Sequence, residues 1–261
     1  MSFNQFESEL LSEWLIEMQD NETSYVEPVL DERCTILMKE ICNMLKQDVH
    51  VFIYAVNILQ EYIIRKAKKA EEIQDSALST VVAIFISSKY IGDQDLKITG
   101  IEAILKKITG QQYSSKKIRQ SEVEFLNELG NNLPIQNDVD DLNTFIVQFE
   151  RECKIKASIT LLCLDVLEML YLTKKQWFNE LKNMYTMSDE GFQIFKKVMT
   201  CRFYLPIGIL VYVFKNTSYN HSFDVDTICS DLANRSQIHV DHISALVSTI
   251  GSVFQEIMLS V

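Results

Sequence analysis

Long runs of this chain place apolar residues at the three- and four-residue spacings of α-helices. The first run, Met1 to Met18, carries Phe3, Phe6, Leu10, Trp14 and Met18 among acidic residues and reads as an amphipathic helix. A polar stretch with Pro28 follows as a linker. Asp31 then caps a predicted helix from Glu32 to Leu45, with Ile36, Leu37, Ile41, Met44 and Leu45 on its apolar face. Asp48 caps the next, Val49 to about Lys69, whose stripe is Phe52, Ala55, Val56, Leu59, Tyr62 and Ile63. The third, opened by Asp75 or Ser76 and running through Lys89, is apolar almost all round, which predicts a place at the centre of a bundle. Shorter helices follow from Thr99 to Ile108, closed by Gly110, and from Ser114 or Ser115 to Leu129, closed by Gly130.

Asn131 to Asp138, polar and containing Pro134, is the best boundary between domains. Beyond it helices are predicted at Val139–Glu150, Lys156–Leu172, Lys174–Met184, Glu190–Phe214 with a kink or break at Pro206, Val225–Ala233 and Val240–Met258. The expected organisation is residues 1–30 as N-terminal helix and linker, 31–134 as one helical domain and 135–261 as a second of similar helix count.

Composition narrows the class. Apolar residues make up 47% of the 261, and only three prolines and seven glycines interrupt them, so a large all-α core is expected. The net charge of −11 disfavours non-specific binding to nucleic acid or to anionic membranes. No basic-then-apolar leader opens the chain, and the longest apolar window, Phe203 to Phe214, is broken by Pro206 and too short to span a bilayer. None of the six cysteines forms a Cys-x-x-Cys pair, which fits free thiols in a reducing compartment. The expected setting is soluble and intracellular, nuclear or cytoplasmic.

Candidate chemistry is sparse. His239 and His242 stand three apart on a predicted helix, but no third ligand lies at recognised zinc spacing. Arg65, Lys66, Lys68 and Lys69 close the second helix, either as cations on the helix dipole or as a site for an acidic partner or nucleic acid. Arg202-Phe203-Tyr204-Leu205 lies in an apolar run and reads as core. No phosphate loop, nucleophile elbow or metalloprotease motif occurs, and no cofactor or catalytic residue is expected. Lys89, at the close of the apolar third helix, and Glu122, alone among apolar positions of the fifth, are better placed to meet a partner than to pack. Taken singly, Lys89 also serves as a cation on a helix C-terminus and Glu122 as a solvated helix residue.

The ordered set Arg33, Ala55-Val56-Asn57, Ser88-Lys89-Tyr90, Ile118-Arg119, Glu122 and Leu133-Pro134 resembles the cyclin family over about Asp31 to Leu142. The second half resembles the family's second repeat more weakly, with Ala157 to Leu172 and Tyr204 to Phe214 as its buried helices. The resemblance implies an all-α fold of two tandem five-helix cyclin-like bundles behind an N-terminal amphipathic helix. It also implies a regulatory subunit that contacts a cyclin-dependent kinase through Lys89, Tyr90, Glu122, Leu126 and Leu133. An extra helix near Trp177 is similar to the cyclin N-terminal-domain proteins of meiotic crossover formation, and a kinase-independent scaffold in a nuclear assembly is the alternative. The chain departs from the family pattern at several points. Ile91-Gly92 replaces an acidic pair and Asn131 replaces an aromatic residue. Gln60 stands where an aspartate faces the arginine. Glu32, Thr35, Lys39 and Ser76 occupy the positions of an apolar substrate-docking patch.

Overall fold

The computed structural model describes residues 25–93, 96–131, 133, 137–153, 159–217 and 225–260. Twelve helices and no strand occur among the described residues. They are α1 (Glu32–Met44), α2 (Val49–Lys68), α3 (Ser76–Ile91), α4 (Ile98–Thr109), α5 (Ser115–Glu128), α6 (Asp138–Cys153), α7 (Thr160–Leu172), α8 (Lys174–Tyr185), α9 (Asp189–Thr200), α10 (Tyr204–Asn216), α11 (Val225–Ser236) and α12 (Val240–Ser260). The amphipathic segment predicted for residues 1–18 lies outside the described residues. The chain forms two compact units, Pro28–Asn137 and a second made of Asp138–Val261 with the segment preceding Pro28.

The first unit is a five-helix bundle. Four of its five helices begin where the predicted caps stand. Side chains of Asp31, Asp48, Asp75 and Ser114 accept from the amides of Cys34 at 2.8 Å, Val51 at 3.0 Å, Leu78 at 3.0 Å and Lys117 at 3.2 Å. Each such cap contributes about 1 kcal/mol. Gly110 and Gly130 close α4 and α5 at φ 72° and 70°, where a side chain would be strained. Helix α3 is buried without interruption from Leu78 to Ser88 and packs against α1, α2, α4 and α5. Its hydroxyls are satisfied inside the helix: Ser79 donates to Asp75 O, Thr80 to Ser76 O and Ser87 to Ala83 O.

One face differs from expectation. The buried residues of α1 are Thr35, Met38, Ile41 and Cys42, while Ile36 and Met44 are exposed. The row built on Met38 is also spaced for a helix face, and it is the one that meets α2 and α3.

The basic end of α2 is neutralised within its own unit. Glu128 of α5 pairs with Lys69 at 2.7 Å and Lys66 at 3.5 Å, and its carbonyl accepts from Arg65 at 3.1 Å. Lys66 also reaches Glu71 at 2.5 Å, and Arg65 reaches Glu61 at 2.7 Å. The cluster is a tie between two helix ends.

In the second unit α10 holds the central position, packed against α6, α7, α11 and α12. The segment expected to kink or break is two helices, bent by 86° from one to the next. The break falls at 201–203 rather than at Pro206, which occupies the first turn of α10, where its missing N–H leaves no intrahelical bond unmade. Tertiary contacts set the break. Arg202 clasps Asp141 with two bonds of 2.7 Å, and Phe203 packs edge-on to Phe145 at 5.5 Å. Phe203 and Tyr204 are core residues, as read from the sequence. The helix expected near Trp177 is α8, anchored by Trp177 Nε1 donating to Leu170 O at 2.8 Å. With it and the break, seven helices occur among the described residues of this unit.

The expectation that no segment reaches membrane-spanning length needs correction. Val240–Leu259, with a mean hydropathy of 1.2, is long and apolar enough by length and composition alone. Asp241 and Glu256 stand near its two ends, leaving the interior without charge. Its stripe Ile243, Leu246, Ile250 and Val253 is fully buried in the unit's core.

Helices α10 and α12 touch closely at Gly208, where a Cβ would lie 2.9 Å from Leu246 Cγ. Gly208→Ala is expected to destabilise the chain by about 1–2 kcal/mol despite alanine's better helix propensity, and trimming Leu246 to alanine in the same chain should make the loss less than additive in urea denaturation. Lys69 above all, then Lys66, holds the Glu128 carboxyl below its ordinary range, against burial. Stability from this group is therefore present above the unfolded carboxylate pKa and lost as pH falls through the folded one. Urea denaturation across pH 3–6 should show that loss, and Glu128→Gln should flatten it.

Candidate partner-docking face

The residues singled out at the tip of α3 and along α5 meet at one surface of the first unit. Helix α3 is buried up to Ser88, so Lys89 is the first residue free to leave the core. Gly92 ends the helix: its N–H bonds to Ser88 O at 3.0 Å, and a Cβ there would sit 2.5 Å from that oxygen. Of the Ile91-Gly92 pair that stands in place of two acids, Gly92 is thus a residue that the tight stop requires. Lys89 Nζ lies 3.8 Å from the centroid of Phe85, one turn back, and 2.6 Å from Glu122 Oε1. The lysine side chain is 42% exposed and the glutamate 15%. The two charges share a half-covered pair at the surface, and neither is swallowed by the core.

Tyr90 is 45% exposed and leans on buried Tyr54 at 5.5 Å between ring centroids. Burial pushes the Tyr54 hydroxyl well above its ordinary value, so it stays protonated. Leu126 and Leu133 are half-buried, Leu133 beyond the turn that closes α5. In that turn Gly130 N–H bonds to Asn127 O and Asn131 N–H to Leu126 O at 2.9 Å. Asn131 adopts φ 53°, a conformation that asparagine tolerates better than an aromatic residue. The backbone thereby accounts for the missing aromatic.

Val123 was passed over in reading the sequence. It is 56% exposed and joins Arg119, Glu122 and Leu126 at i, i+3, i+4 and i+7 spacing, flanking the buried row of Ile118 and Phe125. An apolar residue directly after a singled-out glutamate was the available signal.

Other candidates separate from this face. Gln60 does not pair with Arg33: its Oε1 is buried without a hydrogen-bond partner, and Arg33 is exposed. Glu32 and Ser76 are exposed, Thr35 is buried, and Lys39 stands over Phe52, so these four positions form no apolar patch. His242 bonds through Nδ1 to Tyr185 OH at 2.8 Å, and burial, with His239 beside it, holds it below the ordinary histidine value. No group of three potential metal ligands occurs among the described residues. The cysteines at 34, 42, 163, 201 and 229 form no disulfide.

Residues 13–134 match the family model of the cyclin N-terminal domain. The fold is similar to that of a viral cyclin from herpesvirus saimiri, with a TM-score of 0.59 at 14% identity over 94% of this chain and 97% of that one. No curated protein sequence matches the chain. Residues 13–134 thus match a cyclin box, and the described fold is similar to that of a cyclin.

A pair this exposed contributes little to folding. A double-mutant cycle of Lys89→Ala and Glu122→Ala, read by urea denaturation, is expected to give a coupling of no more than about 1 kcal/mol, with both variants folded.

Proposed function

We propose that this chain is a cyclin-like subunit that binds and regulates a cyclin-dependent kinase through the face of Lys89, Tyr90, Glu122, Leu126 and Leu133, extended by Val123. The observation that carries the reading is the Lys89–Glu122 pair, 2.6 Å apart at the exposed end of a helix that is buried from Leu78 to Ser88. A lysine offers three donors to carbonyls and a glutamate accepts from amides, so together they suit the exposed backbone of a docked segment. Tyr90, Val123 and the leucines add apolar area beside them. This chain does no chemistry in that role: it shifts the kinase between two states by binding one of them better. Nucleus or cytoplasm is the setting that suits such a role, and meiotic crossover formation is the narrower process suggested by α8.

A second reading has its own support. Gly92, Asn131 and the absent apolar patch change the face from the family pattern, which favours a kinase-independent scaffold in a nuclear recombination or regulatory complex.

Co-purification with a panel of cyclin-dependent kinases separates the two. Capture of a kinase is expected, with affinity reduced at least about tenfold by Lys89→Ala, Glu122→Ala or Val123→Glu. No capture, or capture that none of the three alters, would sink the docking model. Capture without any rise in kinase activity favours the scaffold.

A further inference from the structure

Residues 25–27 run ahead of the first unit but pack in the second. Tyr25 sits on three rings of α8 and α9, at 6.2 Å from Phe178, 6.3 Å from Phe192 and 6.1 Å from Phe195. Two residues on, Glu27 pairs with Lys182 at 2.7 Å and accepts from the Tyr25 hydroxyl at 3.0 Å. Lys196 stands 4.4 Å from the Phe192 centroid and 5.8 Å from that of Tyr25. With the segment in place Phe178 and Phe195 are 2% and 0% exposed.

We infer that this face of α8 and α9 is a docking groove for a partner segment carrying an aromatic residue followed two positions later by a carboxylate, and that Tyr25-Val26-Glu27 fills it in cis. The occupant's chemistry is written in the seat. A floor of phenylalanines takes a ring, and two lysines on the rim take an acid. In an extended segment residues i and i+2 point the same way, which sets the spacing. The basic rim stands out on a chain of net charge −11. The Tyr25 ring lies against three neighbouring phenylalanines, an aromatic cluster of the kind that marks recognition sites. Tethering gives the cis segment a high effective concentration, so a trans ligand competes only when its own contacts are better or the tether is weakened.

The probe is a labelled peptide with residues 22–30 of this chain, Glu-Thr-Ser-Tyr-Val-Glu-Pro-Val-Leu, read by fluorescence anisotropy against the full chain. Binding to Tyr25→Ala is expected to be at least about tenfold tighter than to the unaltered chain, whose groove is occupied. In the Tyr25→Ala background, Lys182→Glu should weaken the peptide about tenfold, and a peptide carrying Glu27→Lys should restore it. If circular dichroism shows Tyr25→Ala unfolded, Glu27→Lys in the full chain opens the groove instead, since that side chain is half-exposed. Equal binding to opened and unaltered chains, no binding to the opened chain at millimolar peptide, or a charge swap that fails to restore affinity would each overturn the inference. So would concentration-dependent dimerisation abolished by Tyr25→Ala, which would make the occupant a second copy's own segment.

Discussion

A helix that is apolar on every side has no stable place at a surface, and this constraint organises the first unit. From Leu78 to Ser88 every position of α3 is buried and most are apolar, and four other helices surround it. The hydroxyls of Ser79, Thr80 and Ser87 fold back onto carbonyls one turn earlier. Once α3 is enclosed, its C-terminal end is where the core reaches the surface. In the second unit α10 plays the same part, with Gly208 letting α12 approach more closely than any side chain allows.

The candidate face is a product of that enclosure. Lys89 emerges where the wrapping ends, and the angle at which α5 covers α3 brings Glu122 beneath it. The ammonium also rests on Phe85, a residue of the core. Packing that stabilises the bundle thus fixes the position of the two charges, while their own exchange of energy remains small. The atoms that stabilise the bundle and the charge of the candidate face are different atoms of the same helix.

Much of this was legible in the chain. Asp31, Asp48, Asp75 and Ser114 each announced a helix start, because a side-chain acceptor ahead of an apolar run has a local purpose. Lys89 and Glu122 were found through an ordered set of residues, and their contact follows from the helix packing that the set implies. What stayed hidden depends on residues distant in sequence. The turn at 201–203 is set by Asp141 and Phe145, not by nearby Pro206. The seat of Tyr25 lies more than 150 positions along the chain, at Phe178 to Phe195. On α1 two apolar rows compete, and only the neighbouring helices decide for Met38 over Ile36. Periodicity finds a face; it does not say which of two faces another element will cover.

The Lys89–Glu122 pair has a consequence for kinetics. Because the two charges already neutralise each other, this spot sends no net field into solution and does not draw a partner from a distance. In the proposed docking one ion pair is exchanged for bonds to the incoming backbone, so few counterions are taken up or released. Association through this face is then governed by the fit of short-range contacts and by how fast they separate, and ionic strength moves it through the chain's overall charge rather than through the pair.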